Sequence, residues 1–386
     1  MNKIRKPCLF PWTHLYYHNN GSVYPCCKLA GVDKFKLGDT TDSIESLWNS
    51  DVQKQMRLDI INQTEPSECY YHCFNNINPL HLYLHKEYRE QQDDFFKQTQ
   101  TDGTHQPNFV IWNINESNIC NFKCIYCCSD FSNQFDKKNV RKSFNNLEEM
   151  LSVFEANINT VEKLYLSSGE PFMQKGYYKM LEILIKHSRT DLEINIHSNF
   201  SGYQFGGYNF FDMLNKFNNV TLFASLDSHG ARAEYIREGT VWKDIEDNRV
   251  LLQNYTNVKF AAQAVITNLN LWSLPDFHMD WFNRGLLKKD NIRYFCLTSP
   301  EELHISVLSD KMKDKIITKY VTYLNFLKDE DSQTLNCMTP YNKIEQIIEE
   351  MKKPSIVPLG RLDYFLLKQN IKKLTSFKDV FPEFVI

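Results

Sequence analysis

The sequence predicts an α/β protein: a partial (β/α)6 TIM-like barrel with a small N-terminal α+β domain and a C-terminal helical extension. Three observations carry this. Between residues 108 and 308, short β-rich segments begin roughly 30–50 residues apart with helix-compatible sequence between several of them, the rhythm of parallel strand–helix units. Upstream, short apolar runs, turn signals and five cysteines share the first 80 residues. Beyond residue 311 the spacing of apolar residues returns to that of helices.

Taken in order, residues 1–80 form the first expected domain. Asn19-Asn20-Gly21 marks a hairpin turn, and Ile44, Leu47 and Trp48, then Val52, Met56 and Ile60, recur at helical spacing. The apolar content is too small for a comfortable independent core. Residues 81–107 are polar and read as a helix and linker, with a turn at Asp102-Gly103. Barrel strands are expected at 108–114, 161–167, 192–198, 220–226, 258–266 and 302–308, within a domain spanning 108–310. Six units are two short of a closed eight-stranded barrel, which leaves an open side for a bulky substrate. The insert 268–300 carries Trp272, Phe277, His278, Trp281, Phe282 and Arg284. These side chains either line that open side or pack the last crossover helix, the latter being the reading for Trp281 and Phe282. Residues 311–386 form the extension: helical patterning to 350, then a helix through Leu362, Tyr364, Phe365, Leu366 and Ile371, and an ending VFPEF docked against the barrel.

Composition narrows the function. The 386 residues are 42% hydrophobic and 14% aromatic, enough for real cores. A formal charge of -3 gives no basic footprint for nucleic acid. No signal-peptide core opens the chain and no apolar run reaches bilayer length, so a reducing cytoplasm is the expected setting. There the 11 cysteines, an odd number, serve as metal ligands or free thiols rather than disulfides.

Cys120, Cys124 and Cys127 fall within eight residues, just past the first barrel strand. Structural zinc wants four ligands, usually as two separated pairs, and no second pair lies nearby. The spacing suits an iron–sulfur cube held by three thiolates with its fourth iron open to a ligand. Cys128 reads as a buried small hydrophobe. At the end of the next strand, Gly169 permits close backbone approach, Glu170 offers an acceptor for a cationic amine, and Pro171 fixes the exit.

CNFKCIYC resembles the cluster-binding loop of the radical S-adenosylmethionine (radical SAM) superfamily. Ser167-Ser168-Gly169-Glu170-Pro171 is similar to its Gly-Gly-Glu-type element, with Ser168 replacing the first glycine. The resemblance implies a [4Fe-4S] cluster on Cys120, Cys124 and Cys127, whose open iron is chelated by the amino and carboxylate groups of S-adenosylmethionine. It further implies cofactor contacts from Tyr126 beside the adenine, from Ser168, Gly169, Glu170 and Pro171 at the methionine amine, and from His197 and Asn199 at the third strand end. Ser225 and Asp227 then face the ribose or substrate, Arg237 (in preference to Arg232) the carboxylate, and the backbone at Ile266 the adenine.

The N-terminal part offers Cys8, Cys26, Cys69 and Cys73, with Cys27 and His72 as substitutes, to one cluster or, on chemistry alone, to a structural zinc. A hairpin at Asn20-Gly21 is expected to bring Cys8 and Cys26 together across adjacent strands. The elements Gly21-Ser22-Val23-Tyr24-Pro25-Cys26-Cys27 and Leu47-Trp48-Asn49-Ser50, with the paired cysteines after them, resemble the SPASM or twitch auxiliary modules of radical SAM enzymes. Here the module precedes the barrel, as in twitch-domain-containing radical SAM proteins, which also carry an ending like Asp363…Phe381-Pro382-Glu383. A second, auxiliary [4Fe-4S] cluster is implied.

The implied activity is reductive cleavage of S-adenosylmethionine to a 5′-deoxyadenosyl radical that abstracts hydrogen from a C–H bond. The expected use is oxidative modification of a peptide or protein, with a flavodoxin or ferredoxin as electron donor. The alternatives are oxidation, epimerisation or rearrangement of a sugar, nucleoside or amino-acid derivative, an RNA-modifying relative, and a non-catalytic metal-braced binding module. Epimerisation needs a thiol hydrogen donor, and Cys128 and Cys296 are the unassigned thiols near strand ends, each also readable as a buried inert thiol.

Overall fold

The computed structural model describes residues 7–64, 88–108, 110–297, 299–328, 340–354 and 377–384. Cys69, His72, Cys73 and the helix expected around 361–371 lie outside the described residues. In chain order the strands are β1 His14–Tyr17, β2 Ser22–Tyr24, β3 Gly38–Asp39, β4 Ile111–Ile114, β5 Lys123–Cys124, β6 Lys163–Leu166, β7 Glu193–Ser198, β8 Gln204–Phe205, β9 Tyr208–Asn209, β10 Asn219–Ser225, β11 Arg237–Glu238, β12 Val258–Ile266 and β13 Ile292–Cys296. With the helices between them they make a mixed, partial-barrel α/β core with an N-terminal auxiliary region and a C-terminal helical extension. The chain groups into two compact units, Met1–Cys120 with Ser129–His197 and Gln204–Val220, and Asn121–Cys128 with Ser198–Tyr203 and Thr221–Ile386.

In the first unit the strand order is β7-β6-β4-β1-β2-β3. Strands β4, β6 and β7 run parallel, in register Ile111↔Lys163↔Glu193. All four residues of β6 are buried, Leu164 and Leu166 on one face and Lys163 and Tyr165 on the other, as expected for a parallel strand covered on each side. Helices Leu147–Ala156 and Lys175–Lys186 supply the crossovers. Asn146 caps the first, accepting from the Glu149 amide at 2.8 Å, with Glu148 and Glu149 complementing the positive end of the helix.

The N-terminal hairpin extends this same sheet. Strand β1 pairs in parallel with β4 from His14↔Ile111 to Tyr17↔Ile114, and all four of its residues are buried. Tyr17 stacks on Trp112 at 5.8 Å and on Phe144 at 5.6 Å. The boundaries expected at residues 80 and 107 therefore fall inside one compact unit. The turn at Asn20-Gly21 forms as expected, Gly21 taking φ +86°. The apolar helical pattern at 44–60 divides into helices Ile44–Trp48 and Asp51–Ile61, because Ser50 caps the second by accepting from Gln53 N.

In the second unit the order is β10-β12-β13. Here one expected strand moves. Residues 302–308 form no strand; they make two short turns of 3-10 helix, Glu301–Leu303 and Ile305–Val307, joined through an extended His304. The sixth barrel strand is β13, parallel to β12 from Ala262↔Ile292 to Ile266↔Cys296, inside the segment read as an insert. Leu303 and the whole run Ile305–Leu308 are buried, so this apolar segment does enter the core, but as turn, extended residue and turn. Helix Leu274–Asn283 carries Trp281 and Phe277 fully into the core, while Phe282 stays 37% exposed. Helices Asp310–Leu327 and Pro340–Met351 form the extension. The terminal Phe377 and Phe381 pack on Tyr235, Ile236, Leu269 and Leu303, the docking expected for VFPEF.

Candidate functional site

Two polar centres hold the three-cysteine run, one in each unit. In the first unit the segment after β4 reaches Cys120 as an irregular backbone whose hydrogen bonds are met by side chains. Asn118 is fully buried; its Nδ2 donates to the carbonyls of Ser129 (2.8 Å) and Asn139 (3.0 Å), and its Oδ1 accepts from Arg141 N (2.9 Å). The Cys120 amide donates to Asn133 Oδ1 at 3.1 Å, and its carbonyl accepts from Gln134 Nε2 at 2.8 Å.

The Ser168–Pro171 element locks onto that same segment. Glu170 N donates to the Ile119 carbonyl at 2.8 Å, and Gln174 Nε2 donates to it at 2.9 Å. Gly169 stands at φ +49°, and a Cβ there would collide with the Ile119 carbonyl, so both backbone freedom and lack of a side chain are used. Ser168 Oγ donates to the Ser117 carbonyl, and Ser117 Oγ to Gln174 Oε1 at 2.6 Å. The buried Glu170 carboxylate accepts from Phe172 N at 3.4 Å, capping the turn that Pro171 opens. Ser117 and Gln174 were not among the residues singled out from sequence; Gln174 lies only three residues past Pro171, but nothing in its own surroundings marks it. They border a cavity of about 470 Å³ together with Glu116, Lys142, Met150 and Met173. Burial pushes the Glu116 carboxyl up to about 7, against the amides of Gly176 and Tyr177 at the start of the Lys175–Lys186 helix, which favour its charge.

In the second unit Cys124 lies in β5, paired antiparallel with β11 so that Cys124 stands opposite Arg237. Asp227, fully buried past the end of β10, accepts from Arg237 Nε at 2.8 Å and from Arg237 Nη2 at 3.2 Å. Its carboxylate also takes Tyr126 OH at 2.5 Å and the Val265 amide at 2.8 Å. The remaining guanidinium nitrogen, Nη1, donates to Cys124 Sγ at 3.8 Å, and the cation stands 5.5 Å from the Tyr126 ring centre. Burial opposes the Arg237 charge, but Asp227 foremost, with Tyr126 and Cys124, outweighs it and keeps the group protonated. Burial pushes the Cys124 thiol up and the Cys127 thiol to about 12. A soft cation is what would release those protons.

The other expected residues divide between the two units. His197 ends the first unit's part of β7, half-buried. Asn199 donates to Asn121 Oδ1 at 2.7 Å, next to Cys120 in sequence, and Asn121 reaches Ser201 Oγ at 2.8 Å. Between them Phe200, buried, adopts φ +64°, a strain that no sequence signal announces. Ser225 is half-buried at the end of β10, and the carbonyl of buried Ile266 accepts from Leu297 N at 3.1 Å. Arg232 pairs with Glu383 of the tail, away from Asp227. Asn270, also missed, ties β10 to β12 by donating to the carbonyls of Asp227 (3.0 Å) and Val265 (2.8 Å).

Among the N-terminal thiols, Cys26 is buried with Phe10, Leu29, Phe35 and Met56, and Cys8 packs against the same cluster. They do not face each other across adjacent strands: the helix Phe10–Thr13 separates Cys8 from β1, and the β1–β2 register sets Cys26 level with His14. Cys128 is exposed rather than buried, since it follows the turn closed by the Cys127 amide on the Cys124 carbonyl at 3.0 Å. Among the described residues all the cysteines are free thiols, and no three His, Cys, Asp or Glu side chains converge on a single-ion site. A four-iron cube takes each thiolate on a different iron, so it does not require such convergence.

Residues 8–74 match the model of the SPASM iron-sulfur cluster-binding domain, and residues 114–248 match that of the radical SAM superfamily. The chain carries a radical SAM domain preceded by a SPASM-like domain. S-adenosylmethionine cleavage and radical generation are the chemistry of that superfamily. No curated protein matches the chain in sequence. Among solved structures it is similar to native anSMEcpe with bound AdoMet, at 17% identity over 57% of this chain and 62% of that one, with a TM-score of 0.42. It is also similar to SuiB of Streptococcus suis bound to S-adenosylmethionine, at 12% identity over 80% of this chain and 68% of that one, with a TM-score of 0.37. The chain thus spans less than two thirds of the length of the first. Among the described residues no helix is long and apolar enough to cross a membrane.

Proposed function

We propose that this radical SAM enzyme reductively cleaves S-adenosylmethionine and uses the resulting 5′-deoxyadenosyl radical to take hydrogen from a C–H bond of a peptide or protein, in an oxidative modification. The observation that carries the reading is the double hydrogen bond on the Ile119 carbonyl. It fixes the Gly169-Glu170 strand end to the residue just before Cys120, so the segment suited to a methionine amine and the first thiol of the loop belong to one rigid piece.

In this reading Cys120, Cys124 and Cys127 hold a [4Fe-4S] cluster, and Cys8, Cys26, Cys69 and Cys73 a second one. The clusters and S-adenosylmethionine supply the electron, the radical and an acceptor for the substrate's second electron. The chain's own residues bind and orient. Ser168, Gly169, Glu170 and Pro171 shape the amine end of the cofactor. Tyr126, His197, Asn199, Ser225, Asp227 and the backbone at Ile266 line the rest. Burial of Cys120 and Cys124, with Cys127 half-buried, limits the access of water to the reacting centre. A flavodoxin or ferredoxin serves as reductant.

The test is anaerobic reconstitution, quantification of iron and sulfide, reduction, and chromatography for 5′-deoxyadenosine. The wild type is expected to yield 5′-deoxyadenosine and methionine, and the Cys120→Ala, Cys124→Ala and Cys127→Ala variants none. Substrate class is read by mass spectrometry of a peptide pool, in which oxidation appears as loss of two hydrogens from a peptide. A fully loaded wild-type protein that releases no 5′-deoxyadenosine overturns the reading.

A further inference from the structure

Arg237 has an unusual set of partners for a residue at a cofactor-binding strand end. Its Nε and Nη2 are taken by Asp227 at 2.8 and 3.2 Å, and its Nη1 by the sulfur of Cys124 at 3.8 Å. Asp227 is itself fixed by the Val265 amide and the Tyr126 hydroxyl, and its carbonyl accepts from Asn270. The antiparallel pairing of β5 with β11 sets the backbones of residues 124 and 237 opposite each other. Cys124, Asp227 and Arg237 are each less than a tenth exposed. Three of the guanidinium's five N–H bonds are thereby directed at Asp227 and Cys124, which fixes its plane against the thiol of the loop.

We infer that Arg237 is a positioning and potential-setting residue for the iron–sulfur cluster: clamped by Asp227 and Tyr126, it donates an N–H bond to the Cys124 sulfur and stabilises the extra negative charge of the reduced cluster. Hydrogen bonds and net charge at cluster sulfurs are principal levers on reduction potential. Low dielectric around the buried pair lets a single charge act strongly. The acidic partner matters as much as the base. Asp227 offsets most of the cation's charge, so the pair tunes the cluster by orientation and partial charge. The inference rests on the cluster assignment made above.

Both signs can be read in one experiment, an EPR-monitored redox titration of the reconstituted full-length chain without S-adenosylmethionine. Arg237→Gln removes the cation and is expected to move the midpoint to a more negative potential at wild-type iron content. Asp227→Asn removes the anion and is expected to move it the opposite way. Arg237→Lys, which keeps charge but loses the fork, is expected to fall between Arg237→Gln and wild type. A loaded Arg237→Gln protein with an unmoved midpoint overturns the inference. If that variant fails to fold or load, Asp227→Asn decides alone, an unmoved midpoint again overturning it. Failure of the cluster assignment looks different: the wild type then takes up no cluster, or Cys124→Ala keeps its full iron content.

Discussion

Gly169 stands where the chain has no spare room, with φ +49° and the Ile119 carbonyl occupying the place of a side chain. Gly169→Ala is therefore expected to lower stability by about 2 kcal/mol or more, from the left-handed backbone penalty and the displaced carbonyl together. Because that carbonyl precedes Cys120, the same variant should incorporate less iron on reconstitution, measured against a thermal melt of each preparation. Normal iron content in a protein with a lowered melting temperature would separate strain from loop placement and count against the link. Arg57 shows a different single-residue dependence. Fully buried, it donates to the carbonyls of Trp48 (2.8 Å), Pro11 (2.9 Å) and Gly103 (3.1 Å) and to Asn49 Oδ1 (3.1 Å). Arg57→Ala removes a donor from all four acceptors, of which Pro11 O and Asn49 Oδ1 keep Gln53 Nε2 and His105 N, and is expected to cost about 3 kcal/mol or more in denaturant unfolding, with little relief from Arg57→Lys, whose ammonium cannot span the fork.

At the scale of elements, the start of the Lys175–Lys186 helix carries a titratable load. Glu116 accepts from the amides of Gly176 and Tyr177, yet burial raises its carboxyl to about 7 from a usual 4.5. The native state therefore binds the proton more tightly than the unfolded chain. The stabilisation is full below about pH 4.5 and is lost as pH rises through about 7. Glu116→Gln removes the titration while keeping an acceptor for the helix. Its melting temperature is expected to exceed wild type by more at pH 8 than at pH 5, a gain of order 2–3 kcal/mol at the higher pH. Equal differences at both pH values would show that Glu116 ionises freely. Element identity was largely legible: five of the six expected barrel strands overlap β4, β6, β7, β10 and β12. The exception has a physical cause. In ELHISVL the buried apolar residues sit on successive tight turns, with Ser306 buried among them and His304 Nδ1 accepting from Ser306 N at 3.2 Å. The true strand IRYFC sends Arg293 over the Phe223 ring at 4.1 Å, a half-polar pattern that hides a strand.

At the scale of the whole molecule, legibility followed the range of the interaction. The cysteine spacing and the Ser168-Gly169-Glu170 element could be read locally. The parallel pairing of β1 with β4 could not, since it joins residues nearly a hundred apart and nothing in HLYY distinguishes a sheet interior from a hairpin edge. The tail makes another such link. Arg232 donates to Glu383, Nη2 to Oε2 at 2.6 Å, across 151 positions of sequence, and its guanidinium lies 5.0 Å from the Phe381 ring centre. Both side chains are largely covered, 14% and 7% exposed, so separating them leaves charge without solvent. Phe381 itself is fully buried against Tyr235 at 5.2 Å. Glu383→Lys sets two cations together and is expected to release residues 377–384, read as faster amide exchange there and a loss of about 2 kcal/mol or more in unfolding. The swap Arg232→Glu with Glu383→Arg is expected to recover most of that protection, because the pair is re-formed with its polarity reversed. Protection unchanged in Glu383→Lys would mean that the aromatic contacts of Phe377 and Phe381 hold the tail alone, and Phe381→Ala would then be the variant that frees it.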